Sequence, residues 1–114
     1  MSIDPGKLAR EMHDGAMFAC TSPDGHAYAD CSRSRGWWAE RASRAIRAGE
    51  QVAGGLTDAD PGELGAALHD TAAAPCEECD RRGARSPACG WRSRGRAYYT
   101  GKAKILRAAA NRAA

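Results

Sequence analysis

Four residues in the second half of the chain have the types and spacing to hold a metal ion: His69, Cys76, Cys79 and Cys89. Cys-x2-Cys lets two thiolates reach one ion from a tight turn, and three cysteines with one histidine suit tetrahedral zinc. Cys89 is followed by Gly90, without the second cysteine that a pair of Cys-x2-Cys motifs would supply. The competing reading is three buried or free thiols. An iron–sulfur cluster fits less well, because it usually takes four thiolates and the nearest fourth, Cys31, lies in the other half. His69 has two readings of its own. It is a ligand, or it is a core histidine packed against aromatic rings of a neighbouring helix.

The first half offers His13, Cys20, His26 and Cys31, but Pro23 stands where the spacing would put Cys79. If Ser22–Gly25 is a turn between two short arms, Cys20 and Cys31 end about 13 Å apart at about 3.3 Å per residue. A second complete site is therefore not expected. Five cysteines is an odd number, which argues against a closed disulfide framework. Clustered cysteines in a reducing compartment more often bind metal or stay buried.

Charge is unevenly placed. The net charge is only +3, yet residues 57–80 carry seven acids and no Lys or Arg, and residues 81–114 carry ten Lys or Arg and no acid. Arg81, Arg82, Arg85, Arg92, Arg94 and Arg96 flank the Cys-rich stretch, with Lys102 and Lys104 beyond it. A rigid loop could hold these against phosphates of DNA or RNA through residues 81–112. Alternatively the basic segment meets an acidic protein surface, or folds onto the acids just before it. Arg outnumbers Lys fourteen to three, so GC-rich codon usage alone also accounts for part of the bias.

Signs of an enzyme are missing. Gly54-Gly55 lacks the lysine and flanking strand of a phosphate loop, and no Gly-x-Ser-x-Gly occurs. A Cys20–His26 pair would lack an orienting third group. No signal peptide and no apolar run near ~18 residues is seen, so the expectation is a cytoplasmic protein without a membrane span.

The elements that must position these groups come from a repeat. Asp4-Pro5-Gly6-Lys7-Leu8-Ala9-Arg10-Glu11-Met12-His13-Asp14 returns at residues 60–70 with six of eleven positions identical. Arg33-Ser34-Arg35-Gly36 returns as Arg92-Ser93-Arg94-Gly95, each followed by an aromatic pair, Trp37-Trp38 and Tyr98-Tyr99. The offset drifts from 56 to 61, so the second copy carries extra loop residues. Asp4 and Asp60 are natural N-caps, and Pro5 and Pro61 suit the first helical position. Helices are predicted over about 5–14, 36–49, 61–73 and 96–112, with Gly15 a stop and Ser34 or Arg35 preceding the second. The stripes to be buried are Leu8 and Met12; Trp38, Ala42, Ala45, Ile46 and Gly49; Leu64, Ala67 and Leu68; and Tyr99, Ala103, Leu106 and Ala110. A two-helix hairpin cannot hide its stripe alone. The fold class is therefore mainly α: two tandem helical hairpins, 1–56 and 57–114, in one compact four-helix arrangement with pseudo-twofold symmetry and a Cys-rich loop in the second. Gly54-Gly55 is the linker.

The pattern Leu8-Ala9-Arg10-Glu11-Met12-His13, then Arg35-Gly36-Trp37-Trp38 and an Ala-Arg-rich helix, resembles a small helical module. That module recurs in proteins of GC-rich bacteria and their phages. The second copy, Leu64 to His69 and Arg94 to Ala103, is looser. The resemblance implies a helical fold and no particular activity; the cysteines depart from the pattern. The combined expectation is a small non-enzymatic protein with one structural zinc, acting as a nucleic-acid-binding or regulatory accessory factor. The alternative is a protein-interaction or assembly module that binds no nucleic acid.

Overall fold

The computed structural model describes residues 3–18, 28–31, 33–71, 73–74 and 95–114. The Ser22–Gly25 turn, Cys20, His26, Cys76, Cys79 and Cys89 lie outside the described residues, as do Arg81, Arg82, Arg85, Arg92 and Arg94. The elements are α1 (Pro5–Asp14), a 3-10 turn (Tyr28–Asp30), α2 (Arg35–Glu50), α3 (Gly55–Asp58), α4 (Pro61–Asp70) and α5 (Gly95–Ala113). The described residues are mainly helical and contain no strand. None of the described helices is long and apolar enough to cross a membrane.

Helix starts follow the local chemistry. Asp4 accepts from the Lys7 backbone N–H (2.9 Å) and Asp60 from that of Glu63 (3.1 Å), each ahead of a proline. Ser34 caps α2 through the Trp37 N–H (3.0 Å). These bonds occupy donors that no helical carbonyl can reach. Gly15 stops α1 as expected, whereas α4 ends short of the expected residue 73. Gly15 caps α1 at φ −83°, and the left-handed residue is Ala16 at φ 55°. The reason is a paired closure, Ala16 N–H to His13 carbonyl (3.0 Å) and Met17 N–H to Met12 carbonyl (3.0 Å), which places the reversal one residue later. The end of α4 repeats the longer bond, Ala73 N–H to Leu68 carbonyl (3.0 Å), and the helix stops at Asp70, earlier than Pro75 alone requires.

Between α2 and α4 the chain does more than link. Gly54 and Gly55 both have positive φ, 88° and 64°, and lead into the four-residue α3. A Cβ on Gly54 would lie 2.8 Å from the Asp58 carbonyl carbon, so that turn requires glycine. Leu56 of α3 is buried over Gly49 of α2, where a Cβ would meet its Cγ at 2.6 Å.

α1 packs on α2 and α4 on α5; α1 also meets α5, and α2 meets α4. The four long helices thus enclose one core. Its largest fully buried side chains include Trp38, Tyr99, Leu8, Met12, Met17, Leu64, Leu68, Leu106 and His69. The predicted stripes are buried except at Ile46, which is half-buried, while Ala48 goes inside. Much of the remaining core is alanine, which lets helix axes approach closely. The closest approach is at Gly65, whose missing Cβ would fall 2.9 Å from the Tyr99 carbonyl of α5.

Candidate metal centre and paired histidines

His13 and His69 end α1 and α4 and are both buried. In each, ring Nδ1 meets the carboxylate of the next residue: Asp14 Oδ1 at 2.9 Å and Asp70 Oδ1 at 3.0 Å. A carboxylate can only accept here, so Nδ1 carries the hydrogen and donates it. The carboxylates are more than half exposed, so each pair has a wet end and a dry end. Each ring also stands edge-on to the second aromatic of the following hairpin arm, Trp38 or Tyr99, with centroids 5.4 Å apart in both cases.

Around His13 further contacts are described. Tyr28 covers His13 at 5.4 Å, and Trp38 Nε1–H donates to Cys31 Sγ (3.4 Å). Burial raises the Tyr28 phenol above its ordinary pKa of 10.0, while Arg35 and Arg10 pull it back down. The aromatic pairs themselves are T-shaped in both halves, Trp37–Trp38 at 4.9 Å and Tyr98–Tyr99 at 5.0 Å.

Of the proposed zinc ligands, His69 is fully buried at the end of α4, and the three cysteines lie outside the described residues. In the first half His13 and Cys31 both adjoin Trp38, while Cys20 and His26 lie outside. Among the described residues no group of three or more His, Cys, Asp or Glu could hold a metal ion. Of the basic set, Arg96 falls in the first turn of α5, Lys104 is exposed on it, and Lys102 turns inward. The Lys102 ammonium donates to the Met17 carbonyl and lies 5.3 and 5.5 Å from the Phe18 and Tyr98 ring centroids. It therefore joins the two halves through its charge and its stem.

Sequence reasoning did not single out Asp14, Asp70 or Tyr28. The signal for the first two was present, since His-Asp closes both copies of the repeat. It also gave no role to Arg33, just ahead of α2, or to Arg41 within it, which lie 4.0 and 5.1 Å from the Trp37 ring centroid. Comparison with known proteins gives no match: no family model, no curated protein and no solved structure.

Proposed function

We propose that this is a small non-enzymatic helical protein that holds one structural zinc through His69, Cys76, Cys79 and Cys89 and serves as a nucleic-acid-binding or regulatory accessory factor. The observation that carries the metal reading is the His69–Asp70 pair at 3.0 Å. Metal-binding histidines commonly donate one ring N–H to a carboxylate, which fixes the tautomer and leaves the other nitrogen for the ion. Asp70 does this at the wet end, and the Cys-x2-Cys stretch begins seven residues after His69. A cytoplasmic, reducing setting would keep the thiols available.

The same proposal includes a tandem duplication, with halves 1–56 and 57–114. What supports it is the recurrence of local geometry: the Asp caps, the Met12–Met17 and Leu68–Ala73 closures and the His–Asp pairs at an offset of 56 residues, and their aromatic partners Trp38 and Tyr99 at 61. The nucleic-acid part rests on the basic run of 81–112. Replacing Arg92, Arg94 and Arg96 together with Ala should then flatten the dependence of log affinity on log salt by about three contacts' worth.

The zinc reading is tested by metal analysis of purified protein. About one zinc per chain is expected, lost in Cys79→Ser and retained in Cys20→Ser, with chelator lowering Tm. Metal-free protein of unchanged Tm would refute it. One observation favours the second reading, a protein-interaction module: a groove of about 720 Å3 lined by Ile3, Ile46, Gly49 and Leu56.

A further inference from the structure

The end of α2, the short α3 and the residue ahead of the α1 cap enclose the groove of about 720 Å3. That size falls among ligand-sized clefts, about 300–1,000 Å3. Its apolar floor is Ile46 of α2, Leu56 of α3 and Ile3. Leu56 is buried over Gly49, but Ile3 and Ile46 are only half-buried. Its charged rim is Glu50 and Asp58, both exposed. The described residues that line it include no Lys or Arg. Arg47, next to Ile46 in the chain, lines a different cleft with Asp70 and Thr71. After Arg47 no Lys or Arg follows until Arg81.

The two carboxylates keep their charge uncompensated by described neighbours. Asp58 accepts from the Thr57 hydroxyl (3.3 Å), and among the described residues no cation pairs with Glu50 or Asp58. Glu50 is also the last residue of α2, where the final carbonyls of the helix carry partial negative charge. An acid at that end is unfavourable, and a cation brought to it is favourable.

The scaffold does not require this combination. At the offset of 61 that relates Trp38 to Tyr99, buried Ala48 and Gly49 match buried Ala109 and Ala110. Ile46 then matches Arg107, and Glu50 matches Asn111. Asn111 turns back onto the protein, donating to the Thr57 carbonyl (3.4 Å) and the Arg107 carbonyl (2.9 Å). One helical position thus accepts a charged side chain in the second half and keeps a half-exposed isoleucine beside an unpaired acid in the first.

We propose that this groove docks a basic peptide segment of a partner protein. An aliphatic side chain of the segment rests on Ile3, Ile46 and Leu56, and its Lys or Arg groups reach Glu50 and Asp58. The partner so named belongs to the protein-interaction reading above, rests on that reading, and needs neither zinc nor nucleic acid. Covering the isoleucines supplies affinity, while the carboxylates at the rim select the sign of charge and the orientation. A phosphate backbone or an acidic segment would meet like charge there.

The test is fluorescence polarisation with a labelled octapeptide, Leu-Lys-Lys-Leu-Leu-Lys-Lys-Leu. In two control peptides Glu replaces every Lys, or Ser replaces every Leu. Amide shifts of isotope-labelled wild type locate the binding. The lysine–leucine peptide should bind with shifts gathered at Ile3 and over residues 46–58, and each control about tenfold or more weakly. Glu50→Gln/Asp58→Asn should weaken binding by about three- to tenfold and lessen its salt dependence. Ile46→Arg should abolish it at unchanged helicity, since the equivalent place already carries Arg107. If Ile46→Arg fails to fold, the wild-type shift map and the exposed carboxylate variant still decide. Shifts elsewhere, or a carboxylate variant that binds like wild type, overturn the proposal. Preference for the glutamate peptide in the same groove overturns the basic partner and leaves the protein-interaction reading standing. Binding of none of the three peptides overturns both. Self-association of the wild type in sedimentation, removed by Glu50→Gln/Asp58→Asn, gives the groove to a second copy and overturns the partner assignment.

Discussion

His13 and His69 occupy equivalent places in two halves that are completed in different ways. Both rings close a capped helix, both lean on a carboxylate one residue on, and both meet an aromatic edge at 5.4 Å. Around His13 the half is filled with bulk: Met17, Phe18, Trp38 and the cover of Tyr28. Around His69 the repeat puts Ala73 and Ala74 in the places of Met17 and Phe18, and Tyr99 in that of Trp38. The second half compensates in part by drawing backbones together at Gly65. The lesson is that two helix ends with the same histidine–carboxylate and aromatic contacts can be packed by side-chain volume or by close backbone approach.

The largest expected effect tests the bulk of the first half. Trp38→Ala should destabilise by about 3–5 kcal/mol in denaturant titrations, because a fully buried indole is removed. A loss below about 1 kcal/mol would mean that volume does not hold that half together. Next comes the close approach of the second half. Gly65→Ala should cost about 1–3 kcal/mol or more, since the new Cβ meets the α5 backbone and not a movable side chain. The reciprocal Ala9→Gly, at the equivalent position of α1, should cost only about 1 kcal/mol plus the lost methyl burial. Equal costs at the two positions would erase the contrast between the halves.

How much of this was legible in the sequence depended on the kind of signal. The starts of α1, α2 and α4 could be read because an Asp or Ser cap precedes each, two of them with a proline behind it. The buried stripes could be read because 3.6-residue spacing survives even in alanine-rich helices. α3 could not, because four residues after two glycines carry no period. Lys102 read as a surface cation, since sequence shows its charge but not that the Met17 carbonyl and two rings lie within reach. The His–Asp pairs were hidden for another reason. Adjacent residues on a helix do not face each other, and these meet only because the helix is ending. Of the candidate metal site, the ligand types and spacing were legible, whereas the orienting carboxylate was not.

Smaller changes refine the comparison. Ala16 holds a left-handed conformation that glycine adopts without steric penalty. Ala16→Gly should therefore stabilise by about 0.5–1 kcal/mol, seen as a rise in the denaturation midpoint at unchanged slope. A loss of stability would mean that the exposed methyl contributes more than the strain. The smallest expected effect concerns Tyr28, which lies over His13. The folded state holds the Tyr28 proton more tightly than the unfolded chain does, because burial raises its pKa. Its contribution is complete below pH 10.0 and declines as pH rises through the raised value. Tyr28→Phe should reduce the alkaline loss of stability, and absorbance titration should show one late-ionising tyrosine disappear. Disappearance instead of a tyrosine that ionises at the ordinary value of 10.0 would place that ring in water.

In the proposed function a zinc ion binds beside His69, whereas Tyr28 and Trp38 pack against His13. X-ray absorption at the zinc edge of purified protein tests it most directly. The account predicts a four-coordinate ion with three sulfurs at about 2.3 Å and one imidazole nitrogen at about 2.0 Å, the nitrogen signal vanishing in His69→Ala and persisting in His13→Ala. Absence of zinc, or a shell of oxygen and nitrogen alone, would contradict it.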